Sequence, residues 1–144
     1  MKRRVAREKV LQALYQIDLT KAEPNEAIHT ILDENSIDEL DLEFIKDRIY
    51  GILDHLDLID QRISQYLKNW TIERLSNIDR VILRMAVYEL IYKEDVPVRV
   101  SINEAIELAK TFSTNESSKF INGVLGSMVK DHPEWEKVKE QIED

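Results

Sequence analysis

The sequence contains no cysteine, which excludes disulfides, thiolate metal sites and cysteine nucleophiles. It has only three glycines, and none belongs to a glycine-rich phosphate-binding loop. No apolar run approaches the roughly 18 residues that span a bilayer, and no apolar signal region follows the basic N-terminus. We expect a chain without these features to be a soluble protein of the cytoplasm.

Catalytic and metal-binding motifs are also lacking. The three histidines, His29, His55 and His132, are scattered, and none has a second ligand at the spacing that metal sites use. Carboxylate pairs are abundant, but in so acidic a chain they do not indicate acid–base chemistry. We therefore expect no metal, no cofactor and no catalytic residue, so that the protein acts by binding and is not an enzyme.

Negative charge is in excess, with 28 acidic residues, 20 basic residues and a net charge of −8. Residues 1–9 nevertheless contain five basic residues and one acidic residue, a net charge of +4, which leaves −12 for the other 135 residues. A basic end on an acidic body indicates an interaction arm, for example one that binds nucleic acid. The alternative is a helix end that is simply solvated, which is the commoner role of charge runs.

Apolar residues recur three and four positions apart along most of the chain, which predicts an all-α protein of about seven helices. Residues 76–93 have the widest apolar face and are expected to form the central core helix. Ser76 is the predicted N-cap of this helix, with Asp79 at its third position. Ser101 matches the first residue of a capping box and predicts the start of the following helix.

The last part of the chain predicts two more helices. Thr114 or Asn115 is expected to cap the first of them, in which Gly123 and Gly126 leave room for a close helix neighbour. Pro133 is expected to open a polar terminal helix.

Four long stretches, in this order, carry a family resemblance: RRVAREKVLQALYQ, IDRVILRMAVYEL, VSINEAIELAK and KFINGVL. Together they resemble the NusB family of bacterial transcription antitermination factors over about residues 2–130, and the Bacillus-type members in particular. The resemblance implies two packed three-helix bundles that share a core. We expect a single NusB-like helical domain, with an N-terminal bundle over residues 1–68, a C-terminal bundle over 69–131 and an extra polar terminal helix over 132–144.

The same resemblance implies a function. It implies binding to the single-stranded boxA RNA of ribosomal RNA leader transcripts, as a heterodimer with NusE, a ribosomal protein of the small subunit. The heterodimer would join the RNA polymerase elongation complex and suppress premature termination.

Site residues follow from the matched motifs. The arginine-rich N-terminus is expected to contact phosphates and two aromatic residues to flank the strand, whereas Glu116 would moderate affinity. The RNA-binding set comprises Lys2, Arg3, Arg4, Arg7, Tyr15, Glu116, Lys119, Phe120 and Asn122. The set expected to face NusE comprises Asp79, Glu73, Arg74 and Arg80.

Several alternatives stay open. Phe120 can be an ordinary core residue, and Asp79 can act only as a helix cap. A NusB-like domain also precedes the catalytic domain of certain RNA cytosine methyltransferases, and the chain would then be the RNA-binding module of such an enzyme. A helical protein-interaction scaffold without an RNA role is a further alternative. Both a monomer and a homodimer that hides the RNA site fit the resemblance.

Overall fold

The structure, a computed structural model, describes residues 1–143, with side chains described as far as Lys139. Within this range eight α-helices and one 3₁₀ turn follow one another, and there is no strand: α1 (Arg3–Thr20), α2 (Pro24–Ile31), α3 (Glu39–Asp54), α4 (Leu56–Ser64), the 3₁₀ turn (Ile72–Arg74), α5 (Asn77–Tyr92), α6 (Val98–Phe112), α7 (Asn115–Lys130) and α8 (Pro133–Glu143). The all-α prediction is confirmed.

The described range contains eight helices, one more than the seven or so expected. Helices α3 and α4 are divided at His55, whose backbone angles (φ −117°, ψ 22°) leave the helical region. No helix in the described range is long and apolar enough to cross a membrane.

The chain divides into two compact units, and the first consists of residues 1–55. In this unit α1 packs against both α2 and α3. The side chains that fill it repeat at helical spacing, as Ile45, Ile49 and Ile52 do along α3, and all three are buried. Each such side chain contributes roughly 1.5–3 kcal/mol when it leaves water, so packing of these faces stabilises the unit.

The second unit begins at Leu56 and is built around α5, which packs against α4, α6 and α7. Ten residues of α5 are buried, including every position from Met85 to Leu90. The prediction of a central core helix is therefore confirmed. Because α4 packs against α5, it lies with the C-terminal helices. The expectation drawn from the family resemblance had placed residues 1–68 in the N-terminal bundle.

Three of the four predicted helix starts, at Ser76, Thr114 and Pro133, are confirmed, and one is wrong. Ser76 Oγ accepts a hydrogen bond from the Asp79 N–H at 3.1 Å, and Thr114 Oγ1 caps α7 in the same way. Helix α6, however, begins at Val98, so Ser101 lies inside the helix and caps nothing. Its buried hydroxyl instead donates a hydrogen bond to Glu89 Oε1 on α5 at 3.0 Å.

Candidate nucleic-acid interface

Two arginines of α1 and one of α3 lie close to the aromatic ring of Phe44 on α3. The guanidinium carbons of Arg3, Arg7 and Arg48 lie 4.3, 5.4 and 3.8 Å from the centre of that ring. Arg3 Nη1 also donates a hydrogen bond to Asp41 Oδ1 at 3.0 Å. Cation–π contacts of this kind hold the guanidinium groups against the ring by electrostatic attraction.

Burial separates the predicted phosphate contacts into two groups. Arg7 is only 5% exposed, so its side chain is part of the packing between α1 and α3. Lys2, the N-cap of α1, and Arg3 and Arg4 in its first turn are exposed. Free N–H groups and the helix dipole add positive potential at the same end of the helix. This turn therefore presents the charge that a phosphate needs.

The other predicted RNA-binding residues lie on two helices. Tyr15 is half-buried farther along α1, whereas Lys119 and Asn122 are exposed on α7. Glu116 and Phe120, also on α7, line a pocket of about 360 Å³ in the second unit. Phe120 is half-buried there, so it is not a fully enclosed core residue.

This pocket also contains two of the residues expected to face NusE. Its lining includes Arg74 from the 3₁₀ turn and Asp79 from α5, together with Trp70, Leu75 and Ser117. Residues predicted to contact RNA and residues predicted to contact NusE thus share one concave surface.

Asp79 is buried and has hydrogen-bond partners on other elements. Its two carboxylate oxygens accept hydrogen bonds from Ser113 Oγ at 2.8 Å and Ser117 Oγ at 2.7 Å. With its N–H on Ser76, Asp79 fastens the start of α5 to the turn between α6 and α7. A helix-capping position and a tertiary anchor are therefore combined in one residue.

Arg80 and Glu73 are not brought to this pocket. Arg80 is half-buried, and its guanidinium donates hydrogen bonds to the carbonyl oxygen of Ile72 and to Asn77 Oδ1 at 3.3 and 3.0 Å, which holds the 3₁₀ turn against α5. Glu73 lines a separate depression of about 640 Å³, whose other acidic residues are Asp57 and Asp60. The four residues expected to face NusE therefore do not line one common pocket.

Trp70 is the pocket residue that sequence reasoning missed. It is 56% exposed, although tryptophan is a large and mostly apolar side chain. The available signal was a tryptophan in the otherwise polar segment between Leu67 and Ile72, where the helical periodicity is interrupted. Among the described residues no group of three or more histidine, aspartate or glutamate side chains is arranged to hold a metal ion.

Comparison with known proteins identifies the family. The model of the NusB family matches residues 4–130. The chain belongs to the NusB family. It is 51% identical to the transcription antitermination protein NusB of Bacillus subtilis (strain 168) over 131 residues, which cover 91% of this chain and 97% of that protein. A Bacillus cereus (strain AH187) protein of the same name is 52% identical over 129 residues.

Solved NusB structures agree with the fold. Thermotoga maritima NusB superposes with a TM-score of 0.86 at 41% identity, covering 92% of this chain and 93% of that one. A structure described as antitermination factors NusB and NusE in complex with double-stranded RNA gives a TM-score of 0.82 at 28% identity, with coverage of 90% and 97%. The resemblance on which the sequence analysis depends is confirmed.

Helix α8 lies outside the region matched by the NusB family model. It contacts α6 and α7, and Lys139 Nζ donates a hydrogen bond to the carbonyl oxygen of Glu89 at 3.2 Å. Burial of this ammonium lowers the pKa of Lys139, although the negative charges of Glu89, Asp95 and Glu94 oppose the shift. The expected polar terminal helix is present through residue 143, and its described residues are docked on the second unit.

The turn before α8 is held by contacts with α4 and with the residues that directly follow α4. The Tyr66 hydroxyl donates a hydrogen bond to Asp131 Oδ2 at 2.6 Å, and this bond raises the pKa of Tyr66. Arg62 Nη1 lies 3.1 Å from His132 Nε2, and the His132 ring stacks on Trp135 with 4.3 Å between ring centres. These contacts connect the family-specific part of the second unit to its additional helix.

Proposed function

We propose that this protein is a transcription antitermination factor that binds single-stranded boxA RNA as a heterodimer with NusE. The heterodimer joins the RNA polymerase elongation complex in the cytoplasm and suppresses premature termination of ribosomal RNA transcription. The observation that carries the proposal is the alignment with curated antitermination proteins over 97% of their length. The solved structure of NusB and NusE in complex with double-stranded RNA, which has the same fold, supports NusE and RNA as partners.

The RNA side of the proposal depends on exposed charge in two places. Lys2, Arg3 and Arg4 supply phosphate contacts from the first turn of α1, and Lys119 supplies another from α7. Arg7 supports this turn from beneath by packing on Phe44. Such contacts position a strand, whereas sequence is read by groups that reach the bases.

Base contacts come from side chains farther along the same helices. Phe120 and Tyr15 offer aromatic faces on which an unpaired base can stack, and Asn122 offers an amide that can hydrogen-bond to a base edge. Glu116 is exposed at the pocket and weakens the local attraction for phosphate. The repulsion between this carboxylate and phosphate limits the affinity of non-specific binding.

The NusE side depends on the acidic body of the protein. NusE is a ribosomal protein and is expected to be basic, so a net charge of −12 outside residues 1–9 favours its approach. Glu73 and Arg74 are exposed for direct contact, whereas Asp79 and Arg80 fix the backbone beneath them. In this proposal the protein acts by binding, and no catalytic step is assigned to it.

The test is a salt series of binding to a boxA RNA and to a scrambled RNA of the same length, with and without NusE. If about four or five phosphates are neutralised, the slope of log affinity against log salt is about −3 to −3.5, at roughly −0.7 per contact. Selective binding that NusE strengthens supports the proposal. Weak binding that ignores both sequence and NusE would instead leave a helical interaction scaffold.

A further inference from the structure

Trp70 exposes more than half of its surface and lines a pocket that is also lined by a second aromatic residue, Phe120. The left-handed backbone at Asn69 (φ 62°), a conformation that asparagine tolerates, turns the chain immediately before Trp70. Thr71 then begins the 3₁₀ turn. The tryptophan is therefore held on a short segment that is constrained on both sides, and its position does not depend on a long loop.

The pocket that Trp70 and Phe120 line has the size of a small-ligand site. Its volume of about 360 Å³ falls within the range of roughly 300–1,000 Å³ that is usual for such sites. Asp79 contributes little free hydrogen-bonding capacity to it, because both carboxylate oxygens already accept serine hydroxyls. What the pocket offers a ligand is mainly aromatic surface.

Charged groups complete the pocket and restrict what can bind there. Arg74 is an exposed cation in the lining, and Glu116 is an exposed carboxylate contributed by α7. A flat uncharged ring can lie against the aromatic walls, while an attached phosphate meets Arg74 and is turned away from Glu116. A nucleotide of a single strand has this combination of a π-face and a phosphate.

We propose that this pocket is a stacking site for one unpaired nucleobase of bound RNA, with Trp70 and Phe120 as its walls and Arg74 contacting the adjoining phosphate. This inference rests on the proposed RNA-binding function and adds Trp70 to it. The nucleobase is favoured over a side chain of the protein partner because Phe120 and Glu116, two residues of the proposed RNA-binding set, line the pocket, and the exposed Lys119 lies three residues after Glu116 on α7.

The experiment uses tryptophan fluorescence, because the chain has only two tryptophans. In a Trp135→Phe variant Trp70 is the single reporter, and the substitution keeps an aromatic ring beside His132. Titration with a boxA RNA is expected to quench Trp70 before NusE is added. Substituting 2-aminopurine at one RNA position after another is expected to identify a single base whose own fluorescence is also quenched.

Affinity measurements complete the test. Trp70→Ala is expected to weaken RNA binding roughly five- to tenfold, and Trp70→Phe to stay within about twofold of the wild type, because stacking needs an aromatic face. Leu58→Ala is the matched control, since Leu58 is an exposed apolar residue of α4 outside the pocket. Circular dichroism and thermal unfolding establish that all three variants are folded.

Each other outcome overturns the inference in a distinguishable way. If the wild type binds boxA RNA but neither Trp70 fluorescence nor the Trp70→Ala affinity changes, the stacking site is wrong and the proposed function stands. If Trp70 responds to NusE alone and not to RNA, the pocket is a protein-docking site. If the wild type binds no RNA selectively, with or without NusE, the proposed function fails and the stacking site fails with it.

Discussion

At the scale of the residue, Asp79 makes hydrogen bonds with both its backbone N–H and its carboxylate. Its N–H donates a hydrogen bond to the N-cap Ser76 Oγ, and its carboxylate accepts hydrogen bonds from two serine hydroxyls that follow it by 34 and 38 positions in the sequence. No buried side-chain nitrogen or oxygen lacks a hydrogen-bond partner in the part of the chain that the structure describes. Removal of any one such group therefore leaves a partner unsatisfied, which costs more than the bond itself contributes.

The first prediction concerns this anchor. Asp79→Ala is expected to lower the free energy of unfolding by about 2–4 kcal/mol, because two hydroxyls lose a charged acceptor. Asp79→Asn is expected to lose less, since its amide oxygen still accepts one hydroxyl. Urea unfolding measures both changes. Asp57→Ala, an exposed acidic control in the first turn of α4, should have little effect, and a stable Asp79→Ala variant would show that the serines do not depend on it.

The second prediction separates packing from phosphate contact at the N-terminus. Arg7→Ala is expected to reduce stability by roughly 1–3 kcal/mol, because the buried side chain packs on Phe44. Lys2→Ala is expected to leave stability within about 0.5 kcal/mol. It should instead make the salt slope of RNA binding shallower by roughly 0.7. Equal unfolding curves for the two variants would contradict the structural role of Arg7.

At the scale of the element, the exposed glycines of α7 differ from expectation. Gly123 and Gly126 were expected to make room for a close helix neighbour, but a Cβ atom added at either position would meet nothing within 4 Å. Both residues face solvent. The reason is that the apolar residues of α7, Ile121, Val124, Leu125 and Met128, lie on the opposite face and make the contacts with the unit.

The third prediction follows from this open space. Gly126→Ala is expected to stabilise the protein by about 0.5–1 kcal/mol, because alanine restricts the unfolded chain and favours the helix without a clash. Thermal unfolding measures the change. RNA affinity serves as the control, and it should stay the same, since position 126 is outside the proposed site. A lower melting temperature would contradict the conclusion that a Cβ atom is accommodated at this position.

At the scale of the whole molecule, charge is distributed unevenly. A body with a net charge of −12 attracts basic partners, whereas a basic first turn attracts polyanions, so charges of opposite sign act at different parts of the chain. The acidic depression lined by Asp57, Asp60 and Glu73 is one concentration of negative charge in the second unit. The carboxylate of Asp60 also accepts two hydrogen bonds from the guanidinium of Arg84, Nε to Oδ1 and Nη2 to Oδ2, each of 2.8 Å.

The fourth prediction concerns the rate of association with NusE. We expect the double variant Asp57→Asn, Glu73→Gln to associate with NusE about two- to fivefold more slowly at low salt, because electrostatic steering is weakened. The difference should vanish at high salt, and stopped-flow mixing at several salt concentrations measures it. A matched control neutralises the exposed Glu39 and Glu43 on α3. An equal effect of both pairs would show that net charge alone matters.

The sequence by itself determined the helices, the central position of α5 and the caps at Ser76 and Thr114. It also determined family membership, through four long motifs in a fixed order. These features depend on residues three to four positions apart or on continuous stretches, and such local patterns can be identified from the sequence alone. The same local rule failed at Ser101, because Pro97 and the following valine already permit a helix to start earlier.

Only the tertiary structure decided which polar side chains are committed within the protein and which are available for partners. Arg7 is buried on Phe44, Ser101 reaches Glu89, and Lys139 reaches a carbonyl 50 positions away. Periodicity cannot give these pairings, because they join residues of different helices and depend on how those helices pack. For the same reason Trp70 was not singled out in the sequence, because it lines the same pocket as Phe120 only in the folded unit.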